Sequence, residues 1–392
     1  MNKYKYIIIG GGMTSAAALE GIREIDQDNE ILLISGESVP PYNRPPLSKG
    51  LWKGKAVDSI WRSLPEKYLD LKLDTRITRV DPLMKVVETE SGEQLGYEKL
   101  LMATGGAARR LPFGGEKIIY YRNFGDYKKL RDLTDSKKKF GVIGSGFIGS
   151  EIAAALSFKG LEVQIFDIGA GIGWNIFPEH MVNFLNDYYQ DKGVKVIPNV
   201  TVAGIEESST GHRITLTNGD HYDVDAVVAG IGIKPQTELA EAAGLSITDG
   251  IEVDHLLRTS SPDIFAAGDA ANFFNPLLEK RIRVEHADNA NAMGKQAGRN
   301  MAGAGETYDY LPLFYSDLFD LGYEAVGELR SDALIVEDWQ EQYHKGVLYY
   351  LKDQRVRGVL LWNVWDKVDN AREVIGLPGP LNPEDLRGKI KG

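Results

Sequence analysis

The chain has 392 residues, 43% hydrophobic and 26% charged, with a net charge of -11 and no cysteine. That length suits two or three domains at ~150 residues each, and the acidic balance speaks against a nucleic-acid backbone as a partner. Without a thiol, disulfide reduction by this chain is excluded, as are thiolate zinc and iron-sulfur ligation. No apolar stretch approaches the ~18 residues of a membrane span. A first strand beginning near Tyr4 leaves no room for a leader ahead of it, so a cytoplasmic location is expected.

In chain order, Tyr6-Ile7-Ile8-Ile9 reads as a strand, Gly10-Gly11-Gly12-Met13-Thr14-Ser15 as a glycine turn, and Ala16-Ala17-Ala18 as the start of a helix. A second strand, Ile31-Leu32-Leu33-Ile34, leads to Glu37. The same grammar returns at Phe140-Gly141-Val142-Ile143, Gly144-Ser145-Gly146-Phe147-Ile148-Gly149 and Ala153-Ala154-Ala155, with Val163-Gln164-Ile165-Phe166 leading to Asp167. Glycines at this spacing permit a tight turn and close backbone approach to a pyrophosphate, whose charge then rests on a helix N-terminus. An acid at the end of the next strand can accept the hydroxyls of an adenosine ribose. Ser15 replaces the third glycine of the first turn and is small enough for helix and strand to pack closely. Two such cradles imply two dinucleotides, and two dinucleotides in contact imply electron transfer.

Each cradle is followed by a hairpin with its own turn signal (Ser91-Gly92, Asn218-Gly219) and a closing strand that runs into small residues, Ala103-Thr104-Gly105 in one case and Gly230-Ile231-Gly232 in the other. The chain therefore reads as an internal duplication. Residues 264–271 are expected to form a strand running into a helix start at Gly268-Asp269-Ala270. Val284-Glu285-His286 then precedes a small-residue helix from Ala287. From Phe314 onward, alternating aromatic segments predict antiparallel strands, with a short helix at 369–375. The tail beyond Pro378 is expected to be mobile. Trp52, Trp61, Trp174, Trp362 and Trp365 read as packing residues.

With these segments in view, the chain resembles the two-dinucleotide flavoprotein reductases, and within them the apoptosis-inducing factor group. The most specific element is Pro41-Tyr42-Asn43-Arg44-Pro45-Pro46-Leu47-Ser48-Lys49, shared with the ferredoxin and rubredoxin reductases; residues 313–327 and Trp362-Asn363-Val364 favour the apoptosis-inducing factor branch. Tyr315 stands where that branch often has Trp. A long Pro-rich insertion and a basic surface of the animal members are missing, which speaks against apoptotic and DNA-binding roles.

The resemblance implies an α/β fold: two Rossmann-like three-layer dinucleotide-binding domains of the glutathione-reductase type plus a C-terminal α+β domain. The expected boundaries are 1–118 and 248–312 for the FAD-binding domain, 119–247 for the NADH-binding domain and 313–392 for the last. It implies FAD on Gly10, Gly12, Met13, Thr14, Ser15 and Glu37. Arg44, Pro45 and Lys49 would line the isoalloxazine and Asp269 would bind the ribityl chain. Ala103, Thr104, Gly105, Gly268, Glu285, His286 and Ala287 would complete the FAD site. NADH would lie on Gly144, Gly146, Phe147, Ile148, Gly149, Glu151 and Asp167, near Gly230 and Gly232. No Arg or Lys follows Asp167 in Ile168-Gly169-Ala170, which favours NADH over NADPH.

Lys49 and Glu151 are either an ion pair beside flavin N5 or an ordinary salt bridge. His286 either contacts the flavin or serves structure. Phe147 either stacks over the flavin or fills a core; Phe314 and Tyr315 pose the same choice for its far face. The implied activity is FAD-dependent oxidation of NADH, with a long-lived charge-transfer complex, a quinone, oxygen or protein acceptor, no metal, and a homodimer linked to reduction. The rivals are a ferredoxin or rubredoxin reductase and an NADH-sensing interaction module.

Overall fold

A computed structural model describes residues 2–209 and 211–391, with Met1, Thr210 and Gly392 outside the described residues. The chain forms two compact units. The first comprises Met1–Arg44, Ala56–Ala107 and Lys234–Pro312; the second comprises Pro45–Lys55, Ala108–Ile233 and Leu313–Gly392.

The first unit is built on a seven-stranded sheet. Asn2–Ile9 pairs in parallel with Ile31–Ile34 on one side and Gln94–Met102 on the other, and Ile264–Ala266 adds in parallel to the latter. These strands are unbroken apolar runs: Ile7, Ile8, Leu32, Leu33, Leu100 and Leu101 have no exposed surface, as a parallel sheet covered on both faces requires. The hairpin Ile77–Asp81/Val86–Thr89 extends the sheet antiparallel, and Gly92 makes the expected turn at φ +81°. Helix Met13–Ile25 packs on helix Ala287–Met301 almost backbone to backbone. A Cβ at Gly294 would run into the carbonyl of Thr14, and one at Gly298 into that of Ala18.

The helix start expected at Asp269 is not formed. Gly268-Asp269-Ala270 is one 3-10 turn, entered through Gly268 at φ +75°, a conformation that cannot open an α-helix. The chain then extends as the strand Ala271–Asn275, whose Phe273 joins the core and which pairs with Lys280–Ile282.

In the second unit, Lys139–Ile143 is flanked in parallel by Glu162–Phe166 and Ala226–Ala229, with Val194–Ile197 and Ile118–Tyr120 at the edges. A three-stranded antiparallel sheet follows, turning at Gly219 as anticipated. The C-terminal part is a five-stranded antiparallel sheet in the order Leu313–Leu318, Leu321–Gly327, Arg355–Trp362, Lys345–Lys352, Leu334–Glu341. Helix Val368–Ile375 lies against it.

Two expectations need correction here. The tail is packed rather than mobile: Leu386 and Ile390 are buried, the Gly388 amide donates to Asp338, and the Ile390 amide donates to Tyr349. Leu386 closes the short 3-10 turn Pro383–Leu386 and Ile390 follows it, each turned inward from a segment with no α-helix of its own. Trp52 and Trp362 do pack in the interior, but Trp174 is 39% and Trp365 48% exposed. The Trp174 ring lies on the backbone of Gly169, in a surface loop, with its outer part left open to solvent.

Candidate active site

In the first unit the parallel strands end in register, Ile9 beside Met102 and Met102 beside Ala266. Their carboxyl edge therefore gathers Gly10–Ser15, Ala103–Gly105 and Gly268–Asp269, where open α/β sheets bind nucleotides. Gly10 has φ +122°, and a Cβ there would run into the carbonyl of Ala103. Gly12 has open space around it and is the N-cap of helix Met13–Ile25, with no side-chain cap and no acid in the first turn. The Ser15 hydroxyl is fully buried without a hydrogen-bond partner. An uncapped helix start beside an unsatisfied hydroxyl fits a pyrophosphate.

Glu37 follows the next strand as anticipated, and already accepts from the Tyr42 hydroxyl at 2.8 Å and from Arg44 at 2.6 Å. The guanidinium assigned by resemblance to the isoalloxazine is thus found on the acid assigned to the ribose. Thr104 exchanges two hydrogen bonds with Gln236, pinning the end of its strand. A Cβ at Gly268 would collide with Thr14, so the 3-10 turn bearing Asp269 rests on the first turn of the cradle helix. Glu285 accepts from Arg283 at 2.5 Å, and His286 is the extended N-cap (φ -116°, ψ 154°) of the helix that starts at Ala287.

The second cradle is tighter. Gly144 (φ +92°) would set a Cβ 2.7 Å from the Gly230 carbonyl oxygen, and a Cβ at Gly149 would run into the Gly144 carbonyl, so three glycines lock strand ends and helix together. Gly146 faces open space and begins helix Phe147–Phe158, again with no side-chain cap; Ile148 is partly exposed on its first turn. Gly232 (φ +91°) ends the matching segment.

Asp167 is buried, and its carboxylate is already oriented. Oδ2 accepts from the Ser145 amide at 2.5 Å, and Oδ1 from the Gly169 amide at 2.7 Å. The Ser145 hydroxyl lies 2.7 Å from Oδ2 and 2.8 Å from the Gly171 carbonyl, donating to one of them. Of the roughly four acceptor sites of a carboxylate, one or two remain for a ribose.

On the same helix, Glu151 is buried and draws three donors from two distant segments: Lys49 Nζ at 2.5 Å, Ser48 Oγ at 2.6 Å and Ser316 Oγ at 2.7 Å. Lys49 also lies over the Tyr315 ring, 5.2 Å from its centroid. The Tyr315 hydroxyl is pushed above its ordinary pKa by burial and by the Glu151 charge. Phe147 meets Phe314 edge to face at 5.7 Å. The Lys49–Glu151 pair was legible from the resemblance. The two serines lie inside segments already singled out, but nothing in the sequence marks their hydroxyls as partners of Glu151.

The chain matches the pyridine nucleotide-disulphide oxidoreductase family over residues 4–294. It belongs to that family. As a member of it, the protein is an FAD-dependent NAD(P)H oxidoreductase that binds FAD and NAD(H), on an α/β fold of two dinucleotide-binding domains and a C-terminal domain. Unlike the family's name, it holds no cysteine for disulfide chemistry.

Residues 331–376 match the C-terminal region of the mitochondrion-associated apoptosis-inducing factors. Apoptosis-inducing factor 1, mitochondrial, of Dictyostelium discoideum is 33% identical over 96% of this oxidoreductase and 79% of that protein. Monodehydroascorbate reductase of Pisum sativum is 32% identical over 92% and 91%. A solved ferredoxin reductase from Rhodopseudomonas palustris superposes with a TM-score of 0.88 at 28% identity, over 97% of this chain and 96% of that one. No helix among the described residues is long and apolar enough to cross a membrane.

Proposed function

We propose that this oxidoreductase is of the apoptosis-inducing factor type: it oxidises NADH and hands the electrons to a quinone, dioxygen or a small protein. The observation that carries the reading is repetition. Each unit has its own glycine turn at the carboxyl edge of a parallel sheet, its own uncapped helix start and its own acid, so each is fitted to a dinucleotide.

FAD, when bound, supplies the two-electron chemistry that accepts a hydride from the nicotinamide. In the first unit, Gly10, Gly12, Met13, Thr14 and the unsatisfied Ser15 hydroxyl hold its pyrophosphate. Glu37, steered by Tyr42 and Arg44, takes the ribose, and Asp269 takes the ribityl chain. Ala103, Thr104, Gly105, Gly268, Glu285, His286 and Ala287 line the same edge. In the second unit, Gly144, Gly146, Ile148 and Gly149 hold the NADH pyrophosphate, flanked by Gly230 and Gly232, and Asp167 takes the adenosine ribose. Glu151, clamped by Ser48 and Ser316, fixes the Lys49 ammonium as an oriented positive charge beside the nicotinamide end of this cradle. Pro45 stiffens the segment that carries Lys49, and Phe147, Phe314 and Tyr315 exclude water there.

The likeness to ferredoxin reductases favours a second reading, in which the acceptor is an iron-sulfur protein. The acidic balance of the chain opposes it, because an acidic partner calls for a basic docking face.

Anaerobic titration with NADH tests the activity. The yellow protein should bleach with one equivalent of NADH and gain a persistent long-wavelength band, and its elution volume on sizing chromatography should shift as it dimerises. Acceptors are then supplied singly: a quinone, dioxygen, monodehydroascorbate and a ferredoxin. Rapid turnover with ferredoxin alone would establish the second reading. A chromophore that NADH leaves unbleached would refute both.

A further inference from the structure

We propose that the Trp174 indole is the seat of the adenine ring of NADH, giving the second unit a hold on the dinucleotide that is independent of the ribose acid. The proposal rests on the assignment of NADH to that unit.

It begins from an oddity of exposure. In the loop from Asp167 to Trp174, Ile168 is 71% and Trp174 39% exposed, although the loop itself is firmly held. The Asp167 carbonyl accepts from the Val200 amide at 2.8 Å and the Gly169 carbonyl from the Asn199 amide at 2.8 Å. Asn186 donates to the Ala170 carbonyl at 2.8 Å and accepts from the Ile172 amide at 3.0 Å. Exposed apolar side chains on a mobile loop need no explanation. On a loop stapled from both sides they form a surface prepared in advance, and an ordered aromatic ring open to water is what a stacked base covers.

The placement fits adenosine in particular. A Cβ at Gly169 would run into the indole, so the ring lies directly on the backbone of the residue whose amide holds the Asp167 carboxylate. Acid and aromatic are thereby fixed to one rigid piece of chain, the acid for the ribose and the ring for the base attached to it. Residues 168–175 contain no Lys or Arg, so the same piece offers no partner to a 2'-phosphate. The indole supplies affinity that is blind to the nicotinamide end, where the reaction occurs. Base-aromatic stacking is worth ~1–3 kcal/mol, which corresponds to about tenfold in affinity near the lower end.

The experiment compares the flavin-loaded wild type with Trp174→Ala, Trp174→Phe and Asp167→Ala. The probes are ADP-ribose, which keeps the adenosine and lacks only the nicotinamide, and reduced nicotinamide mononucleotide, which lacks the adenosine. ADP-ribose should quench tryptophan fluorescence in the wild type, and the quench should vanish in Trp174→Phe while its Kd by calorimetry stays within about threefold. Trp174→Ala should raise that Kd about tenfold and leave the rate of flavin reduction by the mononucleotide unaltered. An unchanged ADP-ribose Kd in Trp174→Ala, with Asp167→Ala still weakening binding, would overturn this proposal alone. Equal losses for both probes would overturn it too, exposing a general loosening of the loop. Failure of the wild type to bind ADP-ribose at all would bring down the assignment of NADH to this unit as well.

Discussion

Glu324 on the strand Leu321–Gly327 has one buried carboxylate oxygen without a partner. Burial, helped by the charge of Asp366, raises its pKa above the ordinary value of 4.5. A carboxyl more acidic unfolded than folded takes stability away as pH rises past the unfolded value, fully so above the folded one. Glu324→Gln should therefore stabilise the protein at pH 8, by less than about 1 kcal/mol given its partial exposure, with no gain near pH 4. Thermal melts at the two pH values check this, and a gain at low pH would contradict it.

Around Glu151 the opposite holds, since both carboxylate oxygens have hydrogen-bonding partners. Ser316→Ala should cost about 1.5 kcal/mol of stability, the worth of a hydrogen bond to a charged group. It should also slow reduction by NADH in stopped flow, though less than Lys49→Ala does. An unaltered reduction rate would reduce Ser316 to a structural residue. These partners were not legible in advance because residues 48, 151 and 316 meet only through folding, and a serine carries no local signature of what its hydroxyl will find.

At the scale of elements, local pattern did most of the work. Apolar runs of four to six residues became parallel strands, and the alternating aromatic segments became antiparallel ones. Asn218-Gly219 turned a hairpin, and the alanine-rich stretches became the cradle helices. What pattern did not show is how closely helices Met13–Ile25 and Ala287–Met301 approach. Gly298→Val would force the Ala18 carbonyl away, costing about 3 kcal/mol by overpacking and shifting the cradle helix. The expected result is a lower melting temperature together with weaker FAD retention, read by filtration and visible absorbance; full retention would show that the cradle tolerates the shift. The two misread segments share a cause. Whether Ala271–Asn275 is strand or helix, and whether residues 383–390 are held or free, depends on neighbours far away in sequence.

For the molecule as a whole, each dinucleotide adds stability by binding the folded state alone. Removing FAD should lower the stability of the unit that holds it by ~2.7 kcal/mol relative to protein with free FAD at a hundredfold its Kd. Calorimetry of stripped and reloaded protein measures the difference, and identical melts would show that the first cradle does not hold FAD. The sequence alone determined that there are two glycine cradles with two acids and that no thiol takes part. Turn chemistry and hydrophobic period are properties of a few adjacent residues, and composition needs no fold at all. Only the tertiary structure decided that Ser48 and Ser316 join Lys49 on one carboxylate, that Arg44 turns to Glu37, and that Trp174 stays in the open. Each depends on which distant backbone occupies the space beside it, and that is set by packing the whole chain at once.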